Sequence, residues 1–249
     1  MFPIRDHNPS ERTPYVTYGL IAINLIVFLM MLPFYSDEAA SGRVFVQYGA
    51  IPMRLMSGEG LETIITSMFI HGGFMHFAGN MLFLWIFGDN LEDILGHVRF
   101  AVFYLVSGLG AALLQVGSDV TSVVPMVGAS GAIAGVMGGY LLLFPRARVD
   151  VLFIFVVFFR VFPLPAWLML LFWFGLQVVN GALSMSQVGG GVAYWAHAGG
   201  FIAGFLFVLP TWRSLGAQSF WARTEGHPDH PDAKYRLEKS SVPIIRRRK

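Results

Sequence analysis

The sequence predicts an all-α membrane protein: a bundle of six transmembrane helices with both termini cytoplasmic. Three observations predict it. The 249 residues are 55% hydrophobic and only 13% charged, with a mean hydropathy of +0.60; soluble domains carry about 25% charged residues. The charges that exist leave long uncharged windows, and a membrane helix needs about 20 mostly apolar residues. Lys and Arg also gather on alternate sides of those windows.

Residues 1–14 are polar, carry Arg5, Asp6, Glu11 and Arg12, and read as a cytoplasmic N-terminal segment. Span 1, Tyr15 to Leu32, is too long for a signal-peptide core and lacks a small-residue cleavage site. Span 2 lies near Gly72 to Gly88, with Glu92 and Asp93 capping or solvating its inner end. Span 3 is Phe100 to Gly117, and span 4 is about Val124 to Phe144. No charge occurs between Arg160 and Arg213. That window is too long for one crossing, and Gly189-Gly190-Gly191 marks a turn within it. Span 5 is then about Ala166 to Leu183, and span 6 about Val192 to Thr211. Val151 to Phe159 is apolar but too short to cross, and reads as an interfacial or re-entrant piece. Residues 15–212 form the membrane domain; 213–249 read as a basic, disordered cytoplasmic tail suited to anionic lipid.

Six spans put both termini on one side. That side collects Arg5, Arg12, Arg99, Arg146, Arg148, Arg160 and nine Lys/Arg from Arg213 onward, against Arg43 and Arg54 on the other. Fifteen against two makes it the cytoplasmic side. Cysteine is absent, which excludes disulfides, thiol nucleophiles and Cys-held metals.

Polar residues inside spans are costly and mark functional candidates. Ser130 stands in Gly128-Ala129-Ser130-Gly131, His197 in Ala196-His197-Ala198-Gly199-Gly200, and His76 with Asn80 in span 2. All three spans run inward from the outer face, so these residues share a depth of about 8–10 Å at 1.5 Å rise per residue. His76 and Asn80, four apart, share a helix face. Gly131, Gly135 and Gly139 recur at every fourth position, as do Ala196, Gly200 and Gly204. Such small-residue stripes let two helices approach closely and would bring Ser130 near His197. A serine hydroxyl needs a neighbouring base to become a nucleophile, and His197 can serve. An oxyanion needs donors, which His76, Asn80 and the Ser130 backbone N–H can supply. No carboxylate lies at that depth, so a Ser/His dyad is favoured over a triad. Gln115, Gln177 and Asn180 read as interhelical bonds or outer-end caps. Trp167, Trp173 and Trp195 read as lipid-facing or interface aromatics, and His71 as a solvated or structural residue at the outer boundary.

Together these motifs, with the run His71-Gly72-Gly73-Phe74-Met75-His76, resemble the rhomboid intramembrane serine proteases of the prokaryotic, six-helix type, over roughly residues 58–211. The resemblance implies hydrolysis of single-span membrane protein substrates near their outer end. Ser130 would be nucleophile, His197 base, and His76, Asn80 and the Ser130 backbone the oxyanion hole. It implies no metal or organic cofactor and no nucleic-acid partner. It also implies a cytoplasmic (inner) membrane location, the site open to the extracytoplasmic side. Many members carry a tyrosine four residues after the serine, packed on the histidine. Here that position is Ala134, so Trp195 or Tyr194 would have to orient the ring. A catalytically silent, client-binding relative is the competing expectation. A transporter fits less well, because no internal repeat is evident and no Asp, Glu, Lys or Arg sits at mid-span in spans 1 to 4 and 6.

Overall fold

The computed structural model describes residues 2–8, 10–155, 158–184, 192–224 and 226. The Gly189–Gly191 turn and the tail beyond 226 lie outside the described residues. The chain is mostly helical, in the order α1 (Tyr15–Met31), α2 (Glu38–Tyr48), α3 (Pro52–Met56), α4 (Thr63–Thr66), α5 (Phe74–Leu95), α6 (His97–Ser118), α7 (Ser130–Leu143), α8 (Ala166–Ser184), α9 (Tyr194–Ser214) and α10 (Gln218–Thr224). Tyr15–Phe34, α6, α8 and α9 are long and apolar enough to cross a membrane. The helix α5 is equally long but carries Asp89, Glu92 and Asp93 in its last turns.

The short helix α7 is the centre of the bundle. Every residue in it except Ser130 and Leu141 is buried, against α5, α6, α8 and α9. Its 14 residues span about 21 Å at 1.5 Å per residue, less than a bilayer core of about 30 Å. The sequence predicts span 4 from Val124, six residues earlier than the helix begins. The extra segment is extended instead. Ala50 and Met126 exchange backbone hydrogen bonds of 3.0 and 2.8 Å, and the Gly128 N–H donates to Ser67 O at 2.9 Å. Non-helical backbone at membrane depth is tolerated where protein satisfies its polar groups, and here α2 to α4 and their loops do so.

A three-stranded sheet corrects the all-α expectation. The strands are β1 (Phe2–Asp6), β2 (Arg148–Phe155) and β3 (Phe158–Pro165). The hairpin β2–β3 pairs from Phe155↔Phe158 to Arg148↔Pro165, and β1 adds antiparallel to the other edge of β2. The segment read as interfacial or re-entrant is therefore this hairpin. Its β-branched and aromatic residues suit a pleated surface. Val149 and Val151, two apart on one face, are fully buried. Pro163 and Pro165 sit on the edge strand, where a missing N–H is harmless.

The same end of the molecule gathers both described terminal segments. The His7 N–H donates to Arg148 O, the Arg146 N–H to Gly226 O, and Trp221 Nε1 to Leu142 O. Glu92 does not cap its own helix. It is buried and accepts from Val16 N, Thr17 N and Thr17 Oγ1 at 2.7–2.8 Å, satisfying orphan donors at the start of α1. Large aromatics (Phe87, Phe100, Phe103 and Tyr140) fill this half of the core. The half around Ser130 is rich in glycine and alanine, with Met68 and Met126 beside them.

Candidate active site

Ser130 is the first residue of α7, not one or two turns inside a helix. The turn before it depends on Gly128, whose φ of +126° disfavours any side chain. A Cβ on Gly128 would also stand 2.6 Å from His76 Nε2, so the glycine lets the chain pass against that ring. The first N–H groups of a helix have no acceptor within it, and no side chain caps α7. That end carries partial positive charge and unused donors.

His197 lies in the first turn of α9, whose start is held by Gln115 of α6: Gln115 Oε1 accepts from the Ala196 N–H at 3.0 Å. The glycine positions of α7 and α9 meet backbone to backbone. A Cβ on Gly200 would lie 1.8 Å from Gly131 O, and one on Gly204 2.1 Å from Gly135 O. A Cβ on Gly139 would lie 3.0 Å from the Val208 side chain. This closeness sets His197 Nε2 2.8 Å from Ser130 Oγ. The ring's other nitrogen, Nδ1, is 2.8 Å from Gln177 Oε1 on α8, and the Trp173 ring lies over His197 at 5.7 Å between centroids.

His76, near the start of α5, accepts at Nδ1 from the Gly72 N–H at 3.3 Å. A neutral ring bonded this way carries its proton on Nε2, the nitrogen beside Gly128. Asn80 follows one turn later. It is buried, and its Nδ2 has no partner among the described residues. Thus Ser130, His197 and His76 come together, and Asn80 brings an unused donor on the same helix.

The structure sharpens three sequence expectations. Gln177 makes an interhelical bond, as expected, and its partner across α8 and α9 is His197. Trp173 covers that ring instead of facing lipid alone, while Trp195 packs against Gly181. His71 is fully buried, with neither ring nitrogen partnered, and meets the His76 ring edge-on at 5.2 Å. A glutamine in an apolar helix is ordinary by composition, so only the missing tyrosine at Ala134 hinted that another group must hold the histidine.

The arrangement pairs a hydroxyl with an imidazole and sets unused N–H donors beside them, which suits acyl transfer. A small cavity beside Ser130 is lined by Met68, Gly108, Ala112, Met126, Gly128 and Ala193. Among the described residues, no His/Asp/Glu cluster is arranged to hold a metal.

Residues 58–214 match the Rhomboid domain. Similar curated proteins include Rhomboid protein 1, mitochondrial, of Saccharomyces cerevisiae, 32% identical over 77% of this chain and 52% of that protein. The Rhomboid protease GluP of Bacillus subtilis is 31% identical over 51% of this chain and 24% of its own. Rhomboid-like protease 5 of Toxoplasma gondii is 30% identical over 72% of this chain and 20% of its own. The chain therefore spans about half the length of the yeast relative and a quarter or less of the other two. With well over half of its residues inside the family's domain, this multi-pass membrane protein belongs to the rhomboid family.

Proposed function

We propose that this protein is an intramembrane serine endopeptidase that cleaves single-span membrane proteins near the outer end of their helix. The observation that carries the reading is the 2.8 Å hydrogen bond between Ser130 Oγ and His197 Nε2 at the start of a buried helix. In the reaction, His197 Nε2 takes the Ser130 proton as Oγ attacks the scissile carbonyl carbon. The carbonyl oxygen becomes an oxyanion, and His76 Nε2–H, Asn80 Nδ2 and the Ser130 N–H are the donors for it. His197 then protonates the leaving amine, and water hydrolyses the acyl-enzyme by the reverse sequence. The cavity beside Ser130, closed by Met68 and Met126, suits a small residue next to the scissile bond.

The topology goes with this reading: six spans, both termini cytoplasmic, and the site open to the opposite face of a cytoplasmic (inner) membrane. Supporting it, segments 2–7, 142–155, 158–165 and 221–224 with Gly226 are hydrogen-bonded together at one end of the helices. Among the described residues, Arg5, Arg12, Arg99, Arg146, Arg148, Arg160, Arg213 and Arg223 belong to those segments or the adjoining helix ends, against Arg43 and Arg54 elsewhere.

The test is reconstitution with labelled single-span substrates and a fluorophosphonate probe. Cleavage of at least one substrate, and probe labelling at Ser130, are expected. Ser130→Ala and His197→Ala should each remove both signals, a loss of at least about 10³-fold. Activity that survives Ser130→Ala sinks the dyad. A wild-type protein that binds clients but is never labelled is the silent relative.

A further inference from the structure

The residue one turn after Ser130 on α7 is Ala134, fully buried and with no ring or polar group to hold an imidazole. The support for His197 comes instead from α8. Gln177 Oε1 lies 2.8 Å from His197 Nδ1, and Gln177 Nε2 donates to the Trp173 carbonyl at 3.3 Å. The two ends of an amide are not equivalent. A backbone carbonyl only accepts, so the Trp173 carbonyl commits the NH₂ end of Gln177 and leaves its oxygen facing the imidazole. That oxygen is itself only an acceptor, so Nδ1 must be the protonated nitrogen. Neutral imidazole then has its lone pair on Nε2, facing Ser130 Oγ. The hydroxyl donates along the 2.8 Å bond, which is the direction in which a base removes its proton. The same helix supplies the ring's cover: Trp173 lies 5.7 Å from His197, tilted by 34°, and also meets Phe201 of α9.

We propose that Gln177, with Trp173 as cover, is the positioning residue that fixes the tautomer and orientation of His197, in place of a tyrosine on α7. The assignment rests on the serine-hydrolase reading only for its effect on rate; the tautomer it sets is a property of the resting protein. A neutral amide orients the ring without a charge to offset an imidazolium, unlike the carboxylate of a triad. Among the described residues, the ionisable group acting on His197 from a neighbouring helix is His76 of α5. The helices α6 and α8 present the neutral amides Gln115 and Gln177.

Two variants and two readouts test this in the full-length protein. Gln177→Leu removes the acceptor while keeping the bulk. The rate of Ser130 labelling, and kcat for a substrate cleaved by the wild type, should fall roughly 10- to 10³-fold, with KM within about twofold. Gln177→Glu keeps an acceptor and adds a charge, so labelling should persist while the acidic limb of its pH–rate profile moves to higher pH. The second readout needs no activity. In protein labelled with ¹⁵N-histidine, the His197 resonance, assigned by its loss in His197→Ala, should report Nδ1–H in the wild type and a mixture of tautomers in Gln177→Leu. A folded Gln177→Leu protein with wild-type rate, pH profile and tautomer overturns the proposal. If wild type is never labelled yet shows the Nδ1–H tautomer and loses it in Gln177→Leu, the hydrolase reading fails and the positioning role stands. A loss of rate in Gln177→Leu with an unchanged tautomer also overturns it, because the damage would then be structural.

Discussion

At Gly128 the backbone turns with φ +126° directly against the His76 ring. Alanine there would meet both a strained conformation and His76 Nε2 at 2.6 Å. The ring would have to move, and with it a donor to the proposed oxyanion. Gly128→Ala should therefore lower turnover by about 10²-fold or more, the scale for loss of one oxyanion donor, and lower the unfolding midpoint through roughly 1–3 kcal/mol of backbone strain. Wild-type turnover in Gly128→Ala would show that His76 does not serve the oxyanion. The approach of Ser130, His197 and His76 was readable because polar groups in apolar spans are few and costly. Gln177 was not readable in the same way: its role depends on which atom it faces across α8 and α9, and no spacing within one helix reports that.

Among elements, the α7–α9 contact is the most demanding. With the Gly131 carbonyl 1.8 Å from where a Gly200 Cβ would stand, Gly200→Ala forces the two helices apart. The expected cost is at least the 1–3 kcal/mol of ordinary overpacking, seen as a lower unfolding midpoint in mild detergent. Ser130 labelling should fall in parallel as the Oγ–Nε2 bond opens. A variant as stable as wild type would show that the interface has slack the close contacts do not suggest. The glycine spacing that shapes this contact was legible in the sequence. The start of α7 was not, because residues 124–127 are as apolar as the helix they precede; Pro125, the Met126–Ala50 pair and the Gly128 bond to Ser67 hold the stretch extended. The hairpin was missed for a related reason. An uninterrupted apolar run does not distinguish strand from helix, and the third strand of its sheet lies at the far end of the sequence.

At the scale of the whole molecule, the N-terminal strand is tied to the helix ends through Asp6. Its carboxylate accepts from Tyr140 Oη at 3.0 Å and Asn90 Nδ2 at 2.9 Å, and Asn8 Nδ2 donates to the same Tyr140 hydroxyl. Burial, and then the nearby Asp89 carboxylate, push the Asp6 pKa from 3.8 up to about 7. The sign follows from linkage. The docked strand holds the Asp6 proton more tightly than the free one, so the contribution of Asp6 to docking is fully present below pH 4. It weakens as pH rises from about 4 to about 7 and is constant above that. Hydrogen-exchange protection of residues 2–6, corrected for intrinsic rates, should fall over that window. Asp6→Asn should flatten the dependence and raise protection at pH 8; an unchanged slope would place the pH response elsewhere.

The pairing of β1 with β2 also sets an order in time. Arg5 and its partner Asp150 are 145 residues apart. At about 5–20 residues per second of synthesis, β1 waits on the order of ten seconds for its neighbour to exist. The start of α1 waits less, because Glu92 arrives 75 residues after Thr17. The first helix is thus in place, and its end capped, well before the strand ahead of it can dock. That strand can close onto the hairpin once β3 has followed β2, and in chain order this still precedes α8 and α9, whose helices complete the site.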